Sequence, residues 1–219
     1  MSNLYDILTL ENKKWQIDQF TAIFIFFGVL MQIIVYRVTD APSLSLYSGI
    51  FGIISVVLCS NRKMAFYLFG FAQLLTYVML CLEQNLYGEI AENVFYFVTM
   101  LIGFSHWLSN YNEDEAAVET RKLNLSQKVW TATTTVLLTV ALYNILLITD
   151  DTQPFLDSVT TVPAFVAQIL MIMRFKDSWY YWLTIDLGSI VMWAVAGDWC
   201  MVAQFVFWTA NCIYGLKKW

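Results

Sequence analysis

The amino-acid sequence predicts an all-α polytopic membrane protein with eight transmembrane helices. Of its 219 residues, 59% are hydrophobic and only 13% are charged. A soluble domain is nearer to ~45–50% apolar and ~25% charged residues. Several stretches of about 18 or more residues carry few charges, which is the length that a helix needs to cross the hydrocarbon core of a bilayer. These apolar runs are continuous and not alternating, which excludes a transmembrane β-barrel.

An internal repeat is the second observation behind this prediction, because the second half of the chain is a distant copy of the first, displaced by 112 residues. This displacement, the repeat shift, carries Gly103 onto Gly215 and Trp107 onto Trp219. Apolar helices resemble one another, but matches of Gly and Trp are harder to obtain by chance than matches of Leu and Val. Internally repeated membrane folds are mostly transporters, which bind their substrate where the copies meet. The other matching pairs are Leu58/Leu170, Tyr67/Trp179, Leu75/Leu187, Tyr87/Trp199, Ala91/Ala203, Val94/Val206, Phe95/Phe207 and Tyr96/Trp208.

The individual spans follow from the apolar runs and from the polar or turn-forming residues between them. We expect Pro154 in the loop before the sixth span and a kink at Pro163 inside it. The predicted spans are residues 19–37, 43–60, 64–82, 88–108, 128–149, 157–174, 179–196 and 199–216.

The repeat organises these spans, because spans two to four match spans six to eight. Both copies run in the same direction across the membrane, so they form two parallel three-helix repeats joined by one inverting helix, a 3+1+3 core. The chain then divides into an N-terminal segment with one extra helix (1–42), a first repeat (43–108), a cytoplasmic loop with the linker helix (109–156) and a second repeat (157–219).

The orientation follows from the basic residues, which are enriched on the cytoplasmic side of membrane proteins. With eight spans, eleven of the twelve Lys and Arg residues lie on the side of both termini, and only Arg37 lies on the other. One span more or fewer would scatter these charges over both sides. We therefore expect both termini in the cytoplasm.

Polar and aromatic residues at helical spacing predict two related walls of a binding pocket. In spans three, four, seven and eight these residues recur at steps of three and four, so those of one span share one helical face. The repeat shift relates the faces in spans four and eight. The candidate binding residues are Gln73 and Tyr77 in span three, Glu92 and Tyr96 in span four, Trp179, Trp182, Asp186 and Trp193 in span seven, and Gln204, Trp208 and Asn211 in span eight.

The carboxylate of Asp186 is the strongest functional signal. It lies about 10 Å into its span at 1.5 Å per residue, where a charged side chain costs roughly 2.5–3.5 kcal/mol on insertion scales. No Lys or Arg lies in the interior of a span to neutralise it, so water, polar side chains or a cationic ligand are the expected partners. Glu92 is nearer to the outer end of its span, where an interfacial position is the alternative.

The aromatic residues also have a structural alternative, because Trp and Tyr form belts at membrane interfaces. Trp179 and Trp199 begin their spans where such a belt would lie. Trp182, Trp193 and Trp208 fit a belt less well, and an indole face attracts flat cationic rings. For the Gln and Asn side chains, hydrogen bonds between helices are the alternative.

The sequence contains no motif of a bond-breaking enzyme, and we expect no catalytic residue, no metal site and no cofactor. His106 is the single histidine, and the four cysteines lack the spacing of metal ligands. We interpret these cysteines as small apolar side chains of the membrane interior. No basic stretch indicates nucleic-acid binding.

Several segments resemble the PnuC-type nicotinamide riboside (vitamin B3) transporters. The resemblance rests on Trp179-Tyr-Tyr-Trp182, a W-x-x-W motif at the start of a core helix, on the segments 187–197 and 199–219, and on the stretch from Leu86 to Trp107. It covers about residues 43–219. This family is similar to full-length SWEET transporters, which have the same three-plus-one-plus-three core.

The resemblance implies a function and a setting. It implies facilitated diffusion of nicotinamide riboside across the bacterial inner membrane, with phosphorylation inside the cell trapping the substrate. It also implies a homo-oligomer, a trimer in this family. Trp182, Trp208 and Tyr77 would stack on the pyridinium ring, Gln and Asn side chains would bind the amide and ribose groups, and Asp186 would offset the positive charge.

Two alternatives remain open from the sequence. One is a transporter of the same fold for thiamine or another ring-bearing vitamin. The other is a membrane receptor or sensor that binds a ligand without transporting it.

Overall fold

The structure, a computed structural model, describes residues 17–83, 87–113, 115–148 and 154–219. This part of the chain has the eight helices that the hydropathy predicts. Lys13, Lys14 and the polar breaks at 84–85 and 150–151 lie outside the described residues. The helices are α1 (Gln19–Val38), α2 (Ser43–Ser60), α3 (Phe66–Glu83), α4 (Tyr87–Leu108), α5 (Leu125–Leu146), α6 (Pro154–Ile172), α7 (Ser178–Ala196) and α8 (Trp199–Lys218).

Six of these helices, α1, α2, α3, α5, α6 and α8, are long and apolar enough to cross a membrane. Helices α4 and α7 have 22 and 19 residues, so they are long enough, but their composition keeps them out of this set. They carry Glu92 and Asp186, the two carboxylates that the sequence singles out. The protein is therefore a multi-pass membrane protein in which the two more polar helices hold candidate site residues.

Two helices begin three residues earlier than the sequence predicts. Helix α5 begins at Leu125 because Asn124 and Gln127 form a capping box, in which each side chain accepts a hydrogen bond from the other's backbone N–H at 2.8 and 2.9 Å. Helix α6 begins at Pro154, so the prediction of a loop there was wrong. Proline suits the first helical turn because the N–H that it lacks would have no partner there. The helix continues through Pro163.

The helices pack in two groups. Helix α3 packs between α2 and α4 in one group, and α7 packs between α6 and α8 in the other. Two helix pairs make the extensive contacts between the groups, α2 with α8 (the α2–α8 seam) and α4 with α6 (the α4–α6 seam). Helix α1 lies against α2 and α8, and α5 lies against α6.

Hydrogen bonds between the two groups recur at residues that the repeat shift relates. Trp107 Nε1 donates to the carbonyl oxygen of Met171 at 3.2 Å, and Trp219 Nε1 donates to the carbonyl oxygen of Cys59 at 3.3 Å. The shift carries Trp107 onto Trp219 and Cys59 onto Met171, so the two bonds are reciprocal. Cys59 and Met171 are 112 residues apart in the sequence, and their sulfur atoms lie 3.4 Å apart between the groups.

Close packing of an aromatic ring on a glycine also occurs twice. A Cβ atom at Gly103 would lie 2.8 Å from Tyr67 Oη, and one at Gly215 would lie 2.5 Å from Trp179 Cε2. The repeat shift relates Tyr67 to Trp179, as it relates the two glycines. Glycine is therefore required at both positions for the helices to approach this closely.

The turns that follow α2 and α6 match as well. Arg62 and Arg174, again related by the repeat shift, both have left-handed backbone conformations, with φ of 61° and 66°. Their N–H groups donate to the carbonyl oxygens of Cys59 and Met171 at 2.8 and 2.9 Å. Each helix thus ends in the same way, in a conformation that residues other than glycine adopt rarely.

The segment between α4 and α5 crosses one end of the helix bundle and contacts both of these turns. The sequence predicts only a polar loop here, but it contains buried residues and a short antiparallel hairpin. Val118 N donates to the carbonyl oxygen of Arg62 at 3.0 Å, and Arg121 N donates to that of Arg174 at 2.8 Å. The hairpin strands are β1 (Tyr111–Asn112) and β2 (Ala117–Val118).

The start of α1 and the end of α8 meet at this same end of the bundle. Lys218 Nζ lies 3.5 Å from Asp18 Oδ2, and Asp18 caps α1 by accepting a hydrogen bond from Thr21 N at 2.7 Å. This backbone hydrogen bond holds the pKa of Asp18 below its usual value. The described basic residues other than Arg37 therefore lie at one end of the bundle, as the count of eight helices requires.

We predict that the reciprocal tryptophan hydrogen bonds stabilise the association of the two groups. Trp107→Phe and Trp219→Phe each remove one N–H donor from a buried carbonyl oxygen that the backbone N–H of Arg174 or Arg62 still pairs, so each variant loses about one net hydrogen bond, roughly 0.5–1.5 kcal/mol. The melting temperature of the purified protein in detergent should fall in both variants. Trp199→Phe is the matched control, because Trp199 is 52% exposed at the start of α8. Equal melting temperatures for the three variants would contradict the prediction.

Candidate functional site

A cavity lies between the two helix groups and is lined by α2, α3, α4, α6, α7 and α8. Its volume is about 170 Å³, roughly ten times the ~10–15 Å³ that a single water molecule needs. Helices α1 and α5 contribute no lining residue among those that the structure describes. The cavity is large enough to hold a small organic molecule.

Most of the residues predicted from the sequence lie together in the wall of this cavity. They come from four helices, with Gln73 and Tyr77 on α3 facing the two rows on α7 and α8. Nine of the eleven candidates line it, namely Gln73, Tyr77, Glu92, Tyr96, Trp179, Trp182, Asp186, Trp208 and Asn211.

Trp193 and Gln204, the other two candidates, do not line the cavity. Trp193 is 1% exposed and packs edge-on against Tyr77, with the ring centroids 6.1 Å apart. Gln204 is fully buried, and its Nε2 atom would lie 3.4 Å from a Cβ atom on Gly52. A helical face predicts direction around the axis but not the extent of a cavity along it. Trp193 is seven residues, or about 10 Å, beyond Asp186 on α7.

Asp186 is the most deeply buried charge of the cavity wall. It is 2% exposed, and its Oδ2 atom accepts a hydrogen bond from Cys212 Sγ at 3.1 Å. None of the ion pairs among the described residues includes it. A buried carboxylate without a cationic partner is energetically unfavourable, so a positively charged ligand would relieve this cost.

The opposite wall carries a second carboxylate on α4. Tyr96 OH donates a hydrogen bond to Glu92 Oε1, one helical turn away. The Tyr96 ring lies 6.0 Å from that of Trp182 on α7, centroid to centroid. The contact between Tyr96 and Trp182 links the α4 wall of the cavity to its α7 wall.

The tryptophan side chains of the wall offer both aromatic surface and unused donors. Trp179 is 3% exposed and packs against Gly215 and Trp219, so it is part of the helix packing and not of an interfacial belt. The Nε1 atoms of Trp179 and Trp208 are buried without a hydrogen-bond partner among the described residues. Since buried donors are nearly always paired, these N–H groups are suited to an acceptor on a ligand.

Asn211 is held in place by hydrogen bonds to α2. Its Nδ2 atom donates to the carbonyl oxygen of Val56 at 3.0 Å, and its Oδ1 atom accepts from Ser60 Oγ at 3.0 Å. Two polar atoms of Asn211 are thus used in joining α8 to α2. Asn211 therefore has the helix-joining role that the sequence leaves open for the Gln and Asn side chains. It also lies in the cavity wall.

Several lining residues were not among the eleven candidates, although the repeat could have indicated some of them. The repeat shift relates Asp186 to Leu74 and Tyr77 to Ser189, and both of these partners line the cavity. Gln168, which lines it too, also donates from Nε2 to Thr99 Oγ1 at 3.0 Å. The cysteines were interpreted only as small apolar residues, but two of them lie in the wall, at positions 59 and 212.

The described residues contain no group of three or more His, Cys, Asp or Glu side chains that could hold a metal ion. All four cysteines are buried and unbonded to one another. The cavity wall is mostly apolar and aromatic with a few polar groups, and carboxylates provide the only formal charges among the described lining residues.

Comparison with known proteins gives consistent relatives. A family model described as nicotinamide mononucleotide transporter matches residues 43–219. The nicotinamide riboside transporter PnuC of Neisseria mucosa is 28% identical over 211 residues, covering 91% of this chain and 80% of that protein. The PnuC of Haemophilus influenzae is 28% identical over 203 residues, covering 91% and 89%. The solved structure of the vitamin B3 transporter PnuC superposes with a TM-score of 0.82 at 25% identity, covering 94% of both chains.

Proposed function

Since the chain belongs to the nicotinamide mononucleotide transporter family, we propose that it transports nicotinamide riboside across the bacterial inner membrane by facilitated diffusion. Members of this family are transporters, which confirms the sequence prediction that the chain is not an enzyme. The named relatives are nicotinamide riboside transporters from bacteria. Phosphorylation of the substrate inside the cell would then trap it and maintain the inward gradient.

The charge of the cavity wall is the observation that carries this proposal. Nicotinamide riboside has a flat pyridinium ring with one positive charge, a carboxamide and a ribose. Asp186 and Glu92 would attract the cation, and Trp182 and Trp208 offer ring faces for stacking. The N–H groups of Trp179 and Trp208, which have no partner among the described residues, would donate to oxygen atoms of the substrate.

The same charge distribution favours the nucleoside over the mononucleotide in the family's description. A mononucleotide adds a phosphate, which proteins usually bind with Arg, Lys or helix N-termini. The described lining residues include neither Lys nor Arg, and they include two carboxylates. A phosphate group in this cavity would be repelled by the wall and left without a countercharge.

Contacts that recur at the repeat shift support the 3+1+3 arrangement. In this proposal α2–α4 and α6–α8 are the two parallel repeats, α5 is the linker helix and α1 is the extra helix, all eight crossing the membrane. The reciprocal hydrogen bonds of Trp107 and Trp219 and the matched turns at Arg62 and Arg174 agree with it. The excess of basic residues at one end of the bundle supports cytoplasmic termini.

We also propose that the protein forms a trimer. Its native mass in detergent would test this.

Asp186 is hydrogen-bonded to Cys212 and Glu92 to Tyr96, and no hydrogen bond among the described residues joins these two pairs into a relay, which supports facilitated diffusion over proton coupling. Uptake into proteoliposomes should then proceed without an imposed pH gradient. Exchange of labelled against unlabelled substrate distinguishes this transporter from a receptor that only binds. Strict dependence on a pH gradient would contradict facilitated diffusion while leaving the transporter class intact.

We predict that the purified protein binds nicotinamide riboside and discriminates strongly against nicotinamide mononucleotide. Calorimetry with both compounds, and with thiamine and riboflavin, measures this directly. The mononucleotide should bind at least about tenfold more weakly, since about 1.4 kcal/mol of charge repulsion suffices for that difference. Preferential binding of thiamine, which is also a cation with aromatic rings, would reassign the substrate within the same fold. Preference for the mononucleotide would contradict the charge argument.

We also predict that Asp186→Asn weakens nicotinamide riboside binding by about tenfold, because it removes a charge-assisted contact worth ~1.5 kcal/mol or more. Asp40→Asn is the control, because Asp40 is an exposed carboxylate in the turn between α1 and α2. The dissociation constants of both variants should be measured by calorimetry. Unchanged affinity in Asp186→Asn would exclude this role for the carboxylate.

A further inference from the structure

We infer that Cys212 positions the carboxylate of Asp186, and that the pair makes one wall of the cavity selective for positive charge. The inference rests on the proposed function, since it concerns how that site holds a cationic substrate. Both residues line the cavity and are almost fully buried, at 3% and 2% exposure. Cys212 Sγ donates to Asp186 Oδ2 at 3.1 Å, from the neighbouring helix.

A thiol is well suited to this task because it is a weak hydrogen-bond donor. It restrains one oxygen atom of the carboxylate and withdraws little of its charge. The other oxygen, Oδ1, has no hydrogen-bond partner among the described residues. The carboxylate is therefore held in position while its charge stays available to a cation in the cavity.

The first repeat has no carboxylate–thiol pair at the positions that correspond to Asp186 and Cys212. The repeat shift relates Leu74 to Asp186 and Met100 to Cys212. Both Leu74 and Met100 also line the cavity, so two equivalent places in the wall differ in chemistry, one polar and one apolar. At these two places a cationic ring would meet the Asp186 carboxylate on the side of α7 and α8, and the apolar side chains of Leu74 and Met100 on the side of the first repeat.

The test compares Cys212→Ala with Cys212→Ser, which are close in size but differ in the hydroxyl donor. Calorimetry should measure the affinity of each variant for nicotinamide riboside and for its reduced form, in which hydride addition has converted the pyridinium to an uncharged dihydropyridine. Cys212→Ala should bind the cation about fivefold more weakly, the equivalent of one net hydrogen bond. The reduced form should bind unchanged, and Cys212→Ser should restore the affinity for the cation.

Cys59 provides the matched control, because it is the other described thiol in the cavity wall and its sulfur contacts Met171 instead of a carboxylate. Cys59→Ala should change the affinities for the cation and for the reduced form by the same factor. An equal loss for both forms in Cys212→Ala would overturn the inference and leave Cys212 as a packing residue. Failure of the unmodified protein to bind either form would contradict the proposed function instead.

A second inference rests on a different observation, the packing of α1. We propose that α1 keeps the α2–α8 seam closed throughout transport, so that the cavity opens at the α4–α6 seam. This proposal also depends on the chain being a transporter. Helix α1 precedes the region that matches the family model, residues 43–219, so it is an addition to the core that the model describes.

Gln32 is the central contact of α1. Its side chain is fully buried, and its Nε2 atom donates to the carbonyl oxygen of Cys200 on α8 at 3.1 Å and to that of Ser45 on α2 at 3.4 Å. It lies directly against Gly49, where a Cβ atom would be only 2.1 Å from Nε2. One side chain of α1 thus binds both helices of the seam.

Further contacts close the seam along its length. Ser45 Oγ donates to Asp198 Oδ2 at 2.6 Å near one end, and Ser60 Oγ donates to Asn211 Oδ1 at 3.0 Å near the other. Gly28 of α1 lies against one residue from each helix of the seam, Ile53 on α2 and Phe207 on α8. Within the described residues, the equivalent α4–α6 seam has no helix packed across it, because α5 makes extensive contact with α6 alone.

Repeat-equivalent pairs of residues allow a matched cross-linking test. Ile53 and Phe207 belong to one buried cluster at the α2–α8 seam, and the repeat shift relates them to Phe165 and Phe95. The rings of Phe95 and Phe165 are in contact at the α4–α6 seam, with centroids 4.6 Å apart. Replacing either pair by cysteines places two thiols at the same position of each seam.

Each double-cysteine variant should be joined with a short bifunctional thiol reagent and assayed by counterflow in proteoliposomes. A protease site inserted between α4 and α5 reports the cross-link, because both pairs connect the two halves of the chain. Cross-linked Ile53→Cys/Phe207→Cys should retain exchange, and cross-linked Phe95→Cys/Phe165→Cys should lose it. The single-cysteine variants control for the four native cysteines. Arrest by the α2–α8 cross-link, or exchange with the α4–α6 cross-link, would overturn the proposal, and no exchange in the unmodified protein would contradict transport itself.

Discussion

The burial of Asp186 is the constraint on which the arrangement of the site depends. A carboxylate in an apolar interior is tolerated only with partners that compensate its charge or satisfy its oxygen atoms. Here a single thiol provides one hydrogen bond, and no described ion pair involves the residue. Water or a cationic ligand in the cavity would supply further compensation. The structure thus places its least compensated charge where a cationic molecule would be bound, and six helices surround that place.

Close approach of the helices makes such a wall possible. Gly215 lets Trp179 lie flat against α8, and Gly103 lets Tyr67 lie against α4. At the same end of the bundle, the side chains of two further tryptophans, at positions 107 and 219, donate across to the opposite group. These two indoles serve packing, while those of Trp179 and Trp208 in the cavity wall keep unpaired N–H groups among the described residues. The two kinds of tryptophan differ because backbone carbonyl oxygens accept the N–H groups of Trp107 and Trp219, while those of Trp179 and Trp208 have no acceptor among the described residues.

The sequence predicted correctly those features that follow from helical periodicity and from the repeat shift. Hydropathy predicted eight helices, and helical spacing with the repeat shift brought nine candidates into one cavity wall. The prediction was incomplete for Trp193, since helical periodicity does not specify how far a cavity extends along the axis. It was also incomplete for Gln204, which lies against Gly52 on α2 while its neighbour Phe205 lines the cavity. The hydrogen bond from Cys212 to Asp186 could not be predicted, because it depends on a contact between α7 and α8 and not on local pattern. The buried hairpin after α4 was missed for a related reason: its apolar residues Ala117 and Val118 are too few to form a periodic signal.

The distribution of polarity among the helices gives a last argument about how the site is protected. Helix α1 is the most apolar of the six spans in mean hydropathy, and α5 has the smallest share of buried residues. These two helices contribute nothing to the described cavity wall and present apolar side chains to the outside of the bundle. Helices α4 and α7, which carry Glu92 and Asp186, instead pack against other helices of the core. Charge near the middle of a membrane is costly mainly when it faces lipid, so the polar helices can hold the site because the carboxylates of Glu92 and Asp186 line the cavity.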